Sequence, residues 1–395
     1  MIETSDTYKR LWAAGARTEV ALAIGRGPEL IDENGNVLLF GDTAICAGLS
    51  PDHGLREDDL ASVTITQRAM DSSGPSVGGA YSGEIDATLY ATDVDIPKRA
   101  MMRPYVRLTD EAETSEWVPQ GVFFVDTRQL DSPDGVPKRT LHGYDAMLLA
   151  ERDYPESALQ WPATDINVVE EITKTIGITL YDNTRQTISR GYLIQYPEGY
   201  SCREVLGEIA GMYGGNFAVA IDGTLRLVPL WGGTDLHNAE DDVLGDYSTD
   251  EPMTWDSVEL DLDDVVYITA GAGDSVLRLD CVNGTKRIAA DLLSAMDGVV
   301  YQPFAAQKTI LDPAVDLGDL IRLPTVTGAL FGVTRYLGAM YTADLEAPGS
   351  EELDHEFPYS PGEDRKQLRR YKKLRSDVDI LMGKMQQIEL LTQEG

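Results

Sequence analysis

Apolar and polar residues alternate along much of the chain, which predicts short β-strands. The alternation begins at Val20, Leu22 and Ile24 and returns in SVTITQ, GEIDATLYA, YVRLTD and GVFFVDT, with turn residues between these segments. Successive side chains of a strand point to opposite faces, so a period of two indicates strands with one buried face. Asn34-Gly35 predicts a hairpin turn, because Asn and Gly accept positive φ angles. The first part of the chain therefore predicts a barrel or sandwich.

A helical period appears in the middle of the chain. In TDINVVEEITKTIG one helical face is apolar, and Gly177 is a predicted C-terminal cap. The apolar positions of that face are Ile166, Val169, Ile172 and Ile176. The stretch 200–230, YSCREVLGEIAGMYGGNFAVAIDGTLRLVPL, then opens with Ser201 and Glu204 in the S-x-x-E spacing of a capping box. Alternation resumes around Asp222-Gly223, so this stretch predicts a capped helix followed by a hairpin.

Strand-like segments return after this unit, and the chain then becomes helical. VVYITAG, VLRLDCV, GDLIRLP and GVTRYLG predict a second strand-rich region, and APGSEELDHEFPYSPGED predicts a linker. Beyond the linker, apolar residues alternate spacings of three and four, which is typical of a coiled-coil seam. The predicted seam residues are Tyr371, Leu374, Val378, Leu381, Met385 and Ile388.

Together these patterns predict a mainly β fold with an α+β insertion and a C-terminal coiled-coil helix. The predicted domains are a first β-barrel-like domain at 1–155, a small α+β domain at 156–244, a second β-barrel-like domain at 245–345, a linker at 346–362 and the coiled-coil helix at 363–395.

The charge of the chain limits the classes of function. Its 66 acids against 33 Lys and Arg give a formal net charge of −33. This excess argues against a general nucleic-acid-binding protein, because phosphates are neutralised by surface Lys and Arg. Between Asp235 and Asp264 there are twelve acids and no Lys or Arg. The terminal helix carries seven bases between Arg365 and Arg375, which form a solvated face or dock on an acidic surface.

No segment of the sequence predicts export or membrane insertion. The N-terminus lacks an apolar core of signal-peptide length, and no window approaches the ~18 apolar residues of a membrane span. Cys46, Cys202 and Cys281 lie far apart and form no C-x-x-C, which excludes a disulfide scaffold. We expect a soluble protein made in the cytosol.

Candidate catalytic and metal-binding residues are few. Ser50, Asp52 and His53 lie within four residues, but a catalytic triad converges from separate elements, so a turn is the favoured interpretation. His142, His237 and His355 have no His or Cys neighbour at zinc-site spacing. SSGPSVGGAYSGE lacks the G-K-[ST] of a phosphate loop. We therefore predict no catalytic residue and no cofactor.

Calcium is the one metal that the acidic stretch could bind. Asp261, Asp263 and Asp264 supply carboxylates, but the EF-hand glycine and the closing glutamate are missing. A solvated acidic face is the favoured interpretation of these residues, so no metal site is predicted.

Three quoted segments resemble one family. The stretch 200–230 resembles the R-E-x-L-x-x-I-A … G-G … D-G-x-L-x-L segment of tail-tip and baseplate hub proteins of tailed bacteriophages. EWVPQGVFFVDT followed by LHGYDAMLLAERDYP is similar to a G-x-F … YD-x-M stretch of the same proteins, and LDPAVDLGDLIRLP is similar to their late G-D-x-I segment. The segments occur in the expected order between about residues 20 and 340.

This resemblance implies a structural protein. Its two barrels would resemble the tail-tube fold, and three copies would present six barrels to a sixfold tube. The implied partners are further copies of the chain, the tail tube or distal tail ring, the tape-measure protein and tip fibre or spike proteins. DNA would only pass through the lumen, where acidic walls repel phosphate, and the acids of 235–264 are the first candidates for that wall.

Two other functions remain open at this point. Some relatives continue into a peptidoglycan-cleaving or receptor-binding extension, whereas this sequence ends in the predicted coil, so that lytic activity is not carried over. A cell-wall hydrolase of the tail tip would need a catalytic constellation, and a receptor-binding module would expose an aromatic groove.

Overall fold

The computed structural model of the protein describes 2–25, 39–40, 43–44, 49–71, 74–90, 93, 96–131, 135–233, 235–262, 266–338 and 340–349. The predicted Asn34-Gly35 turn, residues 350–362 of the predicted linker and the coiled-coil helix lie outside these residues.

The helices are α1 (Asp6–Ala13), α2 (Asp165–Ile176), α3 (Asp182–Thr187), α4 (Cys202–Met212) and α5 (Lys286–Met296), with 3-10 turns at Pro51–His53, Glu57–Asp59 and Ala146–Glu151. The first strands are β1 (Arg17–Gly25), β2 (Leu39–Phe40), β3 (Thr43–Ala44), β4 (Leu60–Arg68), β5 (Ala80–Tyr81), β6 (Glu84–Leu89), β7 (Met101–Thr109), β8 (Val118–Pro119), β9 (Phe123–Asp131) and β10 (Lys138–Asp145). The middle strands are β11 (Ala163–Thr164), β12 (Thr179–Leu180), β13 (Leu193–Ile194), β14 (Gly215–Val219) and β15 (Thr224–Pro229). The last strands are β16 (Leu236–Asn238), β17 (Tyr247–Thr249), β18 (Ser257–Asp261), β19 (Tyr267–Gly271), β20 (Val276–Asp280), β21 (Phe304–Thr309), β22 (Leu320–Arg322), β23 (Thr327–Ala329), β24 (Gly332–Leu337) and β25 (Thr342–Ala347).

Strand content exceeds helix content, at 39% against 20%, so the predicted mainly β class is confirmed. An eleven-stranded sheet dominates, in the order β1-β7-β9-β10-β6-β4-β24-β25-β21-β17, with β8 paired to β7. Its strands alternate as the sequence predicts: on β4, Val63 and Ile65 are buried, whereas Thr64 between them is only partly buried. Most buried apolar residues of the sheet belong to one large core cluster, and two smaller clusters contain Leu108 with Val118 and Ala21 with Ala23 and Tyr105.

The eleven-stranded sheet joins the two ends of the chain. β24 pairs antiparallel with β4, placing Tyr336 opposite Thr64, so strands of the first and third predicted domains share the sheet. Thr18 of β1 donates a hydrogen bond to Gly338 O at 3.0 Å, which connects the first strand in the order to the end of β24. The predicted domain boundaries and the closure into barrels stay predictions.

The predicted helix and hairpin at 200–230 are confirmed. Ser201 Oγ accepts a hydrogen bond from Glu204 N at 3.2 Å, and Glu204 Oε2 accepts from Ser201 N at 2.8 Å, which is the capping box at the start of α4. β14 and β15 then pair antiparallel in the sheet β12-β15-β14-β5. Gly207 lets α4 approach the loop before β5, because a Cβ at this position would lie 2.5 Å from Gly78 O.

A three-stranded sheet, β19-β18-β20, packs against α5. The strand pattern of this region did not reveal α5, although Thr285 caps it by accepting from Ile288 N. Ile288, Leu292 and Met296 are buried at a helical spacing of four. Within the described part of the chain, no helix has the length and apolarity needed to cross a membrane.

Candidate functional site

Segments that resemble the hub motifs meet at one buried ion-pair cluster. Arg226 lies on β15, in the D-G-x-L-x-L part of the first motif, and Asp316 and Asp319 lie in LDPAVDLGDLIRLP. Arg226 Nη2 donates to Asp319 Oδ1 at 3.1 Å, and Nη1 lies 3.4 Å from Asp316 Oδ2. We call these three side chains the motif junction. It fixes the α+β unit to the segment between β21 and β22.

The motif junction is almost closed to solvent, which strengthens its electrostatics. The side chain of Asp319 is 1% exposed and that of Arg226 is 15% exposed. Burial by itself raises the pKa of Asp319, but His237, Arg226 and the Asp316 N–H lower it to about 2. His237 Nε2 lies 3.6 Å from Asp319 Oδ2, too far for a strong hydrogen bond, so we assign most of the effect to Arg226 and the amide at 2.9 Å. Asp319 is therefore a carboxylate held in its charged form.

Backbone contacts tighten the same junction. Ile221 N donates to Asp316 Oδ2 at 3.2 Å, and Gly233 N donates to Gly318 O at 2.6 Å. Gly318, the glycine of the G-D-x-I motif, has a φ of +86°, a conformation that side-chain-bearing residues rarely adopt. Gly318 thus provides the backbone conformation at this junction, and Asp316 and Asp319 provide its carboxylates.

A further hub-like segment reaches the neighbourhood of the junction through Gln120, in EWVPQG. Gln120 is fully buried, and its Nε2 donates to Pro313 O at 2.9 Å, just before the acids of the junction. Its Oε1 accepts from Tyr341 OH at 3.0 Å. Gly223 of the β14–β15 turn packs on Val122, where a Cβ would lie 2.6 Å from Cγ2. All three quoted segments therefore contact one another in the folded chain.

The buried guanidinium of Arg335 links the large sheet to the same region. Arg335 lies on β24 with no exposed surface, donates from Nη1 to Gln67 Oε1 on β4, and donates from Nη2 to Val315 O at 3.0 Å. Gln67 Nε2 in turn donates to Val219 O at 2.9 Å, at the end of β14. The sequence does carry a signal for this burial, because Arg335 occupies an inward position of the alternating strand GVTRYLG.

Asp145, the acid of the YD-x-M motif, is a second buried carboxyl. It accepts from Gly83 N at 2.6 Å, Ser82 Oγ at 2.9 Å and Met147 N at 2.9 Å. Burial raises the pKa of Asp145 to about 7, and the three donors limit the rise. It caps the 3-10 turn Ala146–Glu151 and fixes that turn to the loop before β6, which again is a structural task.

The side chains considered for catalysis have local roles or lie apart. Ser50 caps the 3-10 turn that contains His53, in agreement with the predicted turn. His142 Nδ1 lies 2.8 Å from Asp86 on the neighbouring strand, and His355 lies outside the described residues. Burial raises the pKa of the Cys202 thiol to about 11, which opposes formation of a reactive thiolate.

An open cleft of about 840 Å³ lies between the start of α4 and the sheet of β18. Two of its acids are engaged within the protein: Glu208 accepts from Asn283 N at 2.7 Å, and Glu259 pairs with Arg278 at 3.0 Å. Of the calcium candidates, Asp261 lines this cleft, whereas Asp263 and Asp264 lie outside the described residues. Among the residues that the structure describes, no three His, Cys, Asp or Glu side chains are placed to hold a metal ion.

The six predicted seam residues of the coiled coil also lie outside the described residues: Tyr371, Leu374, Val378, Leu381, Met385 and Ile388. Sequence reasoning did not identify the motif junction, because it treated each motif separately. The available signal was a pair of acids around the glycine of G-D-x-I and an arginine in the strand after D-G.

Comparison with known proteins gives structural likenesses only. No protein-family model matches the sequence, and no curated protein matches it. A 43 kDa tail protein of prophage MuSo2 from Shewanella oneidensis is 11% identical, with a TM-score of 0.47 over 84% of this chain and 97% of that one. The tail protein from Neisseria meningitidis MC58 is 10% identical, with a TM-score of 0.48 over 83% and 95% of the two chains.

A topological model of the p2 virion baseplate in its activated conformation is 11% identical, with a TM-score of 0.35 over 85% of this chain and all of that one. TM-scores below 0.5 do not carry a functional argument, so the function of this chain has to follow from its own residues. These three structures are described as tail and baseplate proteins.

Proposed function

We propose that this protein is a structural subunit of a phage tail tip or baseplate hub and has no catalytic activity. The observation that supports this most strongly is the convergence of the hub-like segments. Within these segments, the motif residues Asp319 and Asp145 act in buried contacts rather than around a solvent-accessible reaction site. Arg226 and Gln120, which lie in the same segments at variable motif positions or beside them, do the same. In a structural protein, we expect the recognisable sequence motifs to stabilise contacts between segments of the fold.

In this proposal the protein forms a homotrimer at the distal tip of the virion tail, assembled in the host cytoplasm. Two barrel-like halves per copy would present six barrels to the tail tube or distal tail ring. The linked sheet supports a rigid wall, because β24 and β4 join the halves through six registered residue pairs. The tape-measure protein and DNA would pass through the lumen, and tip fibre or spike proteins would attach beyond it.

Sedimentation analysis tests the proposal directly. The full-length protein at micromolar concentration should sediment as a trimer, and cryo-EM class averages should show threefold symmetry. A monomer or dimer under these conditions would refute the hub arrangement. Lysis of purified peptidoglycan that is lost on replacing one Asp or Glu would instead support a cell-wall hydrolase.

The terminal helix is proposed to reinforce the trimer rather than to create it. A seam of six apolar residues spans under three heptads, and so short a coil is marginal alone. Leu381→Asp should therefore abolish the coil while the protein stays trimeric. Gln387→Asp, outside the predicted seam, is the matched control. A monomeric Leu381→Asp protein would show that the coil drives assembly.

A further inference from the structure

One segment of this acidic chain contains four basic residues and no acidic residue. The segment 96–109, IPKRAMMRPYVRLT, contains Lys98, Arg99, Arg103 and Arg107 and no Asp or Glu. Arg107 Nη2 pairs with Glu19 at 2.7 Å. Lys98, Arg99 and Arg103 have no carboxylate within salt-bridge distance among the residues that the structure describes, and Arg103 Nε is buried without a hydrogen-bond partner. Within the described part of the chain, these three cations therefore have no anionic partner.

Two of these cations line a cleft. Arg99 and Arg103 border an open cleft of about 610 Å³, which we call the arginine cleft. Its apolar lining consists of Leu49, Met101, Val122, Phe124 and Ile178. Asp222 also lines it, but Asp222 Oδ1 accepts from Thr224 N at 2.8 Å and from its hydroxyl at 2.7 Å. Guanidinium groups beside apolar side chains suit a peptide that carries carboxylates around an aliphatic residue.

The chain itself contains such a peptide at 240–246, EDDVLGD, which we call the acidic segment. Glu240, Asp241 and Asp246 are exposed and form no ion pair among the described residues. Leu244, the fifth residue of the segment, is 56% exposed. Burial and then the charge of Asp241 raise the pKa of Asp242. The segment thus offers several carboxylates around one exposed leucine.

The arginine cleft and the acidic segment belong to opposite ends of the large sheet. The bases of the cleft lie on and just before β7, the second strand of the order, and the acidic segment leads directly into β17, the last strand. Different, complementary surfaces on one subunit produce head-to-tail contacts between copies, and such contacts form a ring when the rotation between neighbours closes. A threefold ring is the assembly proposed above.

We propose that the arginine cleft of each copy binds the acidic segment of the next copy, with Arg99 and Arg103 facing its carboxylates and Leu244 on the apolar lining. This inference rests on the proposed homotrimer and identifies the surfaces that form it. It also gives 240–246 a role in the subunit interface instead of the lumen wall.

Charge reversal tests the contact. The cleft variant is Arg99→Glu with Arg103→Glu, and the segment variant is Asp241→Arg with Asp246→Arg. Each places like charges opposite one another, so the dissociation constant of the oligomer should rise at least about 100-fold in sedimentation equilibrium. A chain that carries all four substitutions restores opposite charges and should regain most of the affinity.

The matched control changes charge away from both surfaces. Arg68→Glu with Lys286→Glu alters two exposed bases and the net charge by the same amount as the cleft variant, and it should leave the trimer intact. Circular dichroism of every variant verifies folding. The salt dependence adds a second readout, because the wild-type trimer should weaken between 0.1 and 1 M salt as screening shortens from about 10 to 3 Å.

The outcomes separate the interface from the hub proposal. If wild type and the cleft variant are equally trimeric, the inference is wrong and the hub proposal stands. If each double variant dissociates but the fourfold variant does not recover, the two surfaces do not face each other and the inference is also wrong. If wild type is monomeric, the homotrimer itself is refuted. Dissociation of both double variants with recovery in the fourfold variant establishes the contact.

Discussion

Removing the charge of Asp319 should destabilise the protein by an amount that depends on pH. Its pKa is lowered from 3.8 to about 2, and because the folded pKa is depressed, the stabilisation is present above 3.8 and is lost as pH falls towards 2. At about 1.4 kcal/mol per pH unit, the carboxylate contributes about 2 kcal/mol at pH 7 and about half of that at pH 3. Asp319→Asn keeps the shape of the side chain and leaves Arg226 with Asp316 alone.

Urea denaturation followed by tryptophan fluorescence measures this effect. Asp319→Asn should lower the free energy of unfolding by about 2–3 kcal/mol at pH 7 and by about half that at pH 3. Asp274→Asn, at an exposed acid, is the control and should change little at either pH. A loss that is the same at both pH values, or below about 0.5 kcal/mol at pH 7, would refute the electrostatic account of the motif junction.

Two further substitutions test the caps and the second buried acid. Ser201→Ala removes the acceptor of the α4 capping box and should cost about 1 kcal/mol in urea denaturation, whereas Ser201→Asp should keep most of it; equal losses would contradict the capping role. Asp145 has a raised pKa of about 7, so the native state loses stability as pH rises from about 4 to 7. The thermal midpoint of wild type should therefore fall relative to Asp145→Asn between pH 5 and pH 8, and parallel midpoints would show that Asp145 does not titrate there.

Local signals predicted the parts of the fold that depend on neighbouring residues. The helix α4, its capping box at Ser201 and the turn at Asp222-Gly223 follow from spacings of a few residues, and the structure confirms them. The helix α5 had equally local signals, but its apolar spacing was hidden between strand-like segments. Short-range periodicity therefore predicts elements well only where neighbouring patterns do not compete with it.

The motif junction could not be predicted in the same way. Arg226 and Asp319 are 93 residues apart, and a pairing at that distance leaves no period in the sequence. The resemblance to hub proteins identified the segments but not the contact between them. Arg335 illustrates the same limit, because its inward position is visible in β24 while its partner Gln67 lies on a strand that only the fold brings near.

The pairing of β24 with β4 sets an order of events during synthesis. Thr64 leaves the ribosome 272 residues before its partner Tyr336, which at about 5–20 residues per second is a delay of roughly 14–54 s. Throughout that interval β4 presents an unpaired edge, and an open strand edge is a template for pairing with another nascent chain. Where several ribosomes translate one message, neighbouring copies are exposed to one another in this state. Production of this protein should therefore be most sensitive to temperature and to chaperone supply while the chain is being made, and much less so once β24 has closed the edge.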